Sequence, residues 1–417
     1  MNQQQELQSV PASRRAIWTI AAATGIGSLS INIWYPFLPL FMLQVGARDE
    51  ADALFWVAVG MTAQGVMRLL GGPLWGLLAD RVGHKRMFVR ALFGVCITSL
   101  ALSLIHAPWQ VGIALGLQGF LSGFIPAAVS LTTVIVPDAR VKSSLSIISG
   151  TQYLGSAIGP AIGAALAIAF GYRGAVLSCV VLMAMVATSV IFLVPADRRH
   201  RPGRAAADPV PRIEPFKPTL QFALAILLYF SIFALNGFRS VATPIALKQI
   251  ADADVTAQLG LTFALGGVAS ALGVWLLAGG IFAKRRLRTS LVVTTALTAA
   301  AHLLLAVSDT VWLYIVAFTV ASLLNASLMP ATNALIAFNV SRARRGTAFG
   351  LASAAQALAF MAGPMAAALF ASISLAAGFA TAGIMLIGLA ALIGFAVREP
   401  PMEEIGPDEM PRGRGDD

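Results

Sequence analysis

The sequence predicts an all-α membrane protein of about twelve transmembrane helices in two pseudo-symmetric six-helix halves, and three observations predict it. Hydrophobic residues fill 58% of the 417 positions, while charged residues make up only 12%. The apolar residues fall into twelve long runs. A single offset of 204 residues relates positions in the first six runs to positions in the last six.

Composition decides the solvent. Soluble domains carry about 25% charged residues, and a compact domain lacks the interior to hide this much apolar surface. Lipid must cover it. Crossing the roughly 30 Å hydrocarbon layer takes about 20 residues of helix. The runs lie at about 17–43, 53–78, 87–105, 109–136, 144–170, 174–194, 219–247, 257–282, 290–307, 311–338, 347–373 and 376–397. Short loops join them, apart from the tails and the Pro- and Arg-rich stretch 195–218. The expected domains are therefore 1–194, a six-helix bundle; 195–218, a linker; 219–397, a second bundle; and 398–417, a tail.

The net charge of +10 does not point to nucleic acid, because the basic residues sit in short clusters between apolar runs, as topology signals do. With both termini in the cytoplasm, inside segments hold 24 of the 29 Lys and Arg. The outside loops hold only Arg48, Arg173 and Lys248, and Arg68 and Arg239 fall within spans. That asymmetry orients the chain and requires an even number of spans. The polar start and the length of the first run do not fit a cleavable signal. Cys96 and Cys179 lie inside apolar runs, where a buried packing role is expected rather than a disulfide or a metal site. No phosphate-binding glycine loop, zinc-spaced His/Cys set or nucleophile elbow occurs. An enzyme, a cofactor and a bound metal are not expected, nor is ATP coupling within this chain.

The offset places Gly76 on Gly280, Arg81 on Arg285, Pro126 on Pro330, Gln152 on Gln356, and Gly159-Pro160 on Gly363-Pro364. Transporter folds are often built from such repeats, with the substrate site between them near the midplane.

Two motifs carry a family resemblance. Between spans two and three stands Gly76-Leu-Leu-Ala-Asp80-Arg81-Val-Gly83-His84-Lys85-Arg86. It resembles the signature loop of the major facilitator superfamily in its glycines, acid and basic cluster. The resemblance covers essentially Ile17 to Val397. It implies two bundles rocking about a central site, with alternating access. It also implies a conformational latch formed by Gly76, Asp80, Arg81, Gly83, Lys85 and Arg86 against span eleven. Gly76 would permit close helix approach, and Asp80 would face a positive helix N-terminus. Span five contains Gly155, Gly159, Pro160 and Gly163. Glycines spaced by four make a close-packing face, and the proline bends the helix. This resembles the motif of the family's antiporter branch, with Ser146 and Ala164 where that branch has further glycines. It implies export.

Span four holds Gln118-Gly119 and Gly123 to Pro126, similar to the pattern in exporters, with Leu115 where many antiporter relatives carry an arginine tied to proton coupling. All 19 acidic residues fall in tails, loops or span ends. Proton-driven relatives usually titrate a carboxylate inside the membrane, where burial raises its pKa. Asp52, at the outer end of span two, and His302, in span nine, are the candidates for coupling.

Arg68 lies twelve residues before Asp80, so about 18 Å from that end of the span. A central arginine costs roughly 2.5–3.5 kcal/mol on insertion scales, so it should face protein or a water-filled cavity. The expected substrate cavity comprises Asn32, Tyr35, Gln64, Arg68, Gln118, Gln152, Asn325 and Gln356, with Gln152 and Gln356 facing each other across the pseudo-two-fold axis. Arg239 is expected near the outer interface, snorkelling. The combined reading is a monomeric exporter in a bacterial inner membrane, driven by proton antiport, with a small, organic, amphipathic, drug-like substrate. The alternative is a dedicated exporter of an endogenous metabolite such as a siderophore.

Overall fold

The computed structural model describes residues 3–136, 138–195, 219–251, 253–274, 287–340 and 345–397, with side chains except at 3–13, 73, 80, 138–139, 142, 338, 345–347 and 349. The linker expected at 195–218 and the tail 398–417 lie outside these residues, apart from Pro195. Among the described residues every regular element is a helix. In chain order they are α1 (Gln3–Trp34), a 3₁₀ turn (Tyr35–Phe37), α2 (Leu38–Gln44), α3 (Glu50–Val82) and α4 (His84–Ser103). Then come α5 (Gln110–Leu121), α6 (Phe124–Ile135), α7 (Asp138–Leu193), α8 (Leu220–Ala251) and α9 (Thr256–Leu272). The last four are α10 (Leu287–Ala306), α11 (Val311–Phe338), α12 (Arg345–Ala371) and α13 (Leu375–Ala396).

Ten stretches among the described residues are long and apolar enough to cross a membrane. One of them, Ser143–Leu193, is two spans joined where Gly171 takes φ 70°, ψ 171°, a conformation open essentially to glycine alone. Arg173 pins this corner by donating to the carbonyls of Ser103 (2.7 Å) and Ile105 (2.6 Å) at the end of α4. Thr256–Leu272 is a shorter apolar helix that runs towards undescribed residues. Counted this way, the spans number twelve.

Span four departs from the single run expected at 109–136. It breaks at Ser122-Gly123 into α5 and α6, with Gly123 at φ 106°. The break frees carbonyls at the end of α5, which in lipid must be satisfied from within the protein. Trp75 Nε1 donates to the Phe120 carbonyl (2.6 Å) and Arg90 to that of Leu121 (3.0 Å). The Arg90 guanidinium lies 3.7 Å from the centre of the Trp75 ring.

Each half contains a close pair of spans in corresponding positions. In the first half α1 lies on α7, and in the second α8 lies on α12. A Cβ at Gly155 would strike the Gly25 carbonyl, and one at Gly163 the Ile33 carbonyl. At Gly159 it would stand 2.7 Å from Asn32 Cβ. Gly363, the 204-offset partner of Gly159, meets the Ala234 carbonyl on α8 in the same way. In lipid there is no hydrophobic drive between helices, so this contact, open only to small residues, is what holds the pairs. Cys96 and Cys179 are free, and Cys179 is fully buried against Ser99 (3.4 Å).

Candidate functional site

The halves meet through α3 with α12 and α7 with α9. They are joined at one end and apart at the other. At the end distant from the chain termini, Lys248 of α8 forms an ion pair with Glu50 of α3 (2.7 Å), and Gln249 donates to the other oxygen of the same carboxylate (2.6 Å). Tyr172 and Thr256 share a hydrogen bond of 2.8 Å, and Asp254 accepts from the Thr256 hydroxyl (2.6 Å). Deeper, a Cβ at Gly267 would lie 2.8 Å from Ala157. Towards the terminal end such contacts stop among the described residues. A Cβ at Gly72, Gly76, Gly150 or Gly350 would meet nothing within 4 Å. Leu69, Leu70, Leu74, Leu77, Tyr153, Leu351 and Leu358 are all exposed.

Arg68 stands at the inner limit of this opening. At 3.6 residues per turn, Gly60, Gln64 and Gly71 share one side of α3, and this side meets α5: a Cβ at Gly60 would touch Leu115, and one at Gly71 would touch Phe120. Gly65 lies on another side, against Met361 of α12. Arg68 falls between the two faces, directed to the space between the halves. It is surrounded by protein on most sides, yet its side chain is exposed. Both hold for a residue on the wall of an open internal passage. Tyr35 lies within electrostatic range of its guanidinium, and the Tyr35 hydroxyl reaches Met61 Sδ at 3.5 Å. Gln64 Nε2 donates to Gln118 Oε1 at 2.6 Å, one turn deeper than Arg68. This bond links α3 to α5.

The remaining expected cavity residues are dispersed. Asn32 donates to the Ser28 carbonyl (2.8 Å) and to Ser156 Oγ (3.4 Å), bridging α1 and α7. Asn325 is buried in the second half and donates to the Ile232 carbonyl (3.3 Å), while its Oδ1 has no partner. Gln152 and Gln356 are each half-buried, and no hydrogen bond joins them.

Arg239 corrects the expectation of a snorkelling interfacial residue. It is 3% exposed, donates to Asn236 (2.9 Å) and Ser322 (3.2 Å), and lies 5.1 Å from the centre of the Phe318 ring. Neutral groups on α8 and α11 hold its two terminal nitrogens inside the second half, while Nε is buried without a partner.

Asp52 accepts from the Arg48 backbone N–H (3.0 Å), and its own N–H donates to Asp49 Oδ1, so it shapes the turn into α3. His302 is fully buried in α10, with Nδ1 bonded to the Thr298 carbonyl (2.7 Å) and Nε2 unpartnered. Neither faces the opening. In the loop motif, Gly83 ends α3 at φ 109°, Arg81 and Arg86 are exposed, and Lys85 donates to the Ile191 carbonyl (2.8 Å). The Asp80 side chain lies outside the described residues. The helix approach expected at Gly76 is not made in this conformation, because the halves stand apart there.

Sequence reading missed the Glu50–Lys248 clasp and the Arg90–Trp75 clamp. Lys248 was visible as one of three basic residues on its side of the membrane, but its partner lies 198 residues away and no spacing announces it.

Twelve apolar spans in two related halves, joined at one end and apart at the other with Arg68 between them, define a multi-pass membrane transporter. The family model described as Major Facilitator Superfamily matches residues 20–289 and 226–414. The chain belongs to that superfamily, a family of secondary transporters rather than enzymes. It is 26% identical over 361 residues to "Multidrug resistance protein MdtG" of Proteus mirabilis, covering 85% of this chain and 88% of that protein. It is 27% identical over 245 residues to "Multi-drug resistance efflux pump PmrA" of Streptococcus pneumoniae, covering 58% and 60%. Among solved structures, a bacterial homologue of the human lysosomal transporter Spinster aligns with a TM-score of 0.70 at 13% identity, over 92% of this chain and 96% of that one. The human organic anion transporter MFSD10 aligns at 0.62 and 18%, over 91% and 99%. At these identities the structures speak for the fold alone.

Proposed function

We propose that this transporter exports a small organic, amphipathic compound from a bacterial cell by alternating access, driven by proton antiport. The chain lies in the inner membrane with both termini in the cytoplasm, as the distribution of basic residues supports. The open end then faces the cytoplasm, and the structure corresponds to the state that loads an export substrate. The Glu50–Lys248 and Tyr172–Thr256 contacts close the periplasmic side. Moving the halves together at Gly72 and Gly76 while parting them at Glu50 would carry the site to the other face. The loop from Gly76 to Arg86 then serves as the latch of the closed state.

The observation that carries the reading is Arg68, a cation on the passage wall with no acidic residue at span depth in the sequence. The names of the bacterial relatives support a drug-like substrate. The same arginine favours the second reading, a dedicated exporter of an endogenous metabolite carrying a carboxylate or another anionic group, because a broad cation pump would want a negative cavity. Asp52 and His302 stay as proton-coupling candidates.

The direct experiment uses inside-out vesicles with an imposed pH gradient, acid inside. Accumulation of an amphipathic anion that collapses with a protonophore is the expected result. Flux indifferent to the gradient, with no counter-movement of protons, sinks the antiport claim. Flux only out of the vesicles sinks export. Drug profiling against metabolite secretion in a deletion strain separates the two substrate readings.

A further inference from the structure

On the outer face of the first half, α1 and the end of α7 enclose a groove of about 630 Å³, within the ~300–1,000 Å³ range of ligand sites. Its walls are two helix stripes. Arg15, Trp18, Ala22 and Ile26 recur along α1, and Val186, Ser189, Val190 and Leu193 along α7. Arg14 joins Arg15 at the mouth, and both are exposed. From Arg14 to Ile26 the groove descends about 18 Å at 1.5 Å per residue. That is slightly more than one leaflet of a roughly 30 Å hydrocarbon layer. Two cations thus sit at headgroup level, and an apolar channel runs from them into acyl-chain depth. Trp18 lies just inside, 53% exposed, at the level where tryptophan favours the membrane interface.

We infer that this groove binds one anionic glycerophospholipid, its phosphate held by Arg14 and Arg15 and one acyl chain lying between α1 and α7. Charge complementarity selects this occupant. No acidic side chain among the described residues pairs with either arginine. Lys85, bonded to the Ile191 carbonyl, adds a third cation beside the rim. The chain's own segments fit poorly. Helix α1 continues past Arg14 to Gln3, so the N-terminal residues do not turn back into the groove. The stretch that leaves α7 beyond Leu193 carries Arg198, Arg199, Arg201 and Arg204, which the two arginines repel. The site is separate from the passage at Arg68, and its test needs no transport.

The test is quenching of Trp18 by lipids brominated on the acyl chain, in full-length protein reconstituted into vesicles. The Trp18→Phe variant is subtracted to remove the signal of the other tryptophans. Brominated phosphatidylglycerol is expected to outcompete brominated phosphatidylcholine at the groove by roughly five-fold for each arginine. Arg14→Gln with Arg15→Gln removes the preference but keeps the phosphatidylcholine signal, and the corresponding double Lys change restores it. Ser189→Phe, which fills the groove and leaves both charges, lowers quenching by both lipids. Equal quenching by the two lipids in the native chain overturns the inference. So does a preference that survives the double Gln change, or displacement of the lipid by millimolar inorganic phosphate, which would mark a site for the free ion.

Discussion

Arg68 in α3 and Arg239 in α8 are both arginines inside apolar helices, one in each half, and their surroundings differ in kind. Arg239 has its hydrogen bonds to Asn236 and Ser322 and a ring at Phe318, and almost no surface. Arg68 has Tyr35 nearby and open space in front of it. A guanidinium enclosed and bonded by neutral groups within its own bundle is a packing element, whatever its charge. One left facing the space between bundles keeps donors for a ligand. Position within a span therefore says that an arginine needs an explanation, and the neighbouring helices say which one applies.

Substitution at the two sites sharpens that contrast. Arg68→Met is expected to weaken substrate binding ten- to about 100-fold, the loss of a hydrogen bond to a charged group at about 1.5–3 kcal/mol. Protein level should be normal, and binding to purified protein is the measurement. Arg239→Met, by contrast, is expected to leave binding within about three-fold and to lower the thermal midpoint instead, because Asn236 Oδ1 loses its buried donor, a cost of about 1–3 kcal/mol. Equal losses at both sites would erase the distinction.

The halves differ again at spans four and ten. Pro126 and Pro330 correspond under the 204-residue offset, yet α11 runs on through Pro330 while span four breaks ahead of Pro126. The position matching Gly123 is Ser327, inside a continuous helix. Glycine accepts φ 106° without cost, and serine does not. Arg90→Met leaves the Leu121 carbonyl unpaired and is expected to destabilise the fold by about 1–3 kcal/mol, read as a lower thermal midpoint in detergent. Gly123→Ala should cost about 1–2 kcal/mol by the same assay, the penalty of a left-handed residue with a Cβ. Ser327→Gly, the matching change in the other half, should cost no more than about 1 kcal/mol.

The smallest effect is expected at the clasp. Lys248 and Glu50 are partly exposed, and such pairs contribute about 0–1 kcal/mol. Glu50→Gln should move the balance between end-open states by at most about five-fold. Spin labels at Arg48 and Ala253, exposed residues on opposite halves, would report it as a growing long-distance component.

What was legible in the residues was mostly what lipid enforces locally. Apolar runs, clustered loop cations and the span-five glycines each act through neighbours along the chain or through one close helix contact, so composition and spacing expose them. Gly155, Gly159 and Gly163 pack as their spacing says. The break in span four was not legible, because Gly and Pro also occur in unbroken spans. It holds only because Trp75 and Arg90, on other helices, take up the freed carbonyls.

By itself, then, the sequence determined the number of spans, the division into related halves, the family, and that Arg68 required a polar or watery surrounding. Tertiary structure alone decided that Arg68 is open and Arg239 sealed, that Gln64 is bonded to Gln118, and that the halves are clasped at Glu50 and apart at Gly76. The reason is physical. Partitioning into lipid is a sum over residues and is written along the chain. Whether a polar side chain is satisfied depends on groups dozens to hundreds of positions away, brought alongside only when the helices pack.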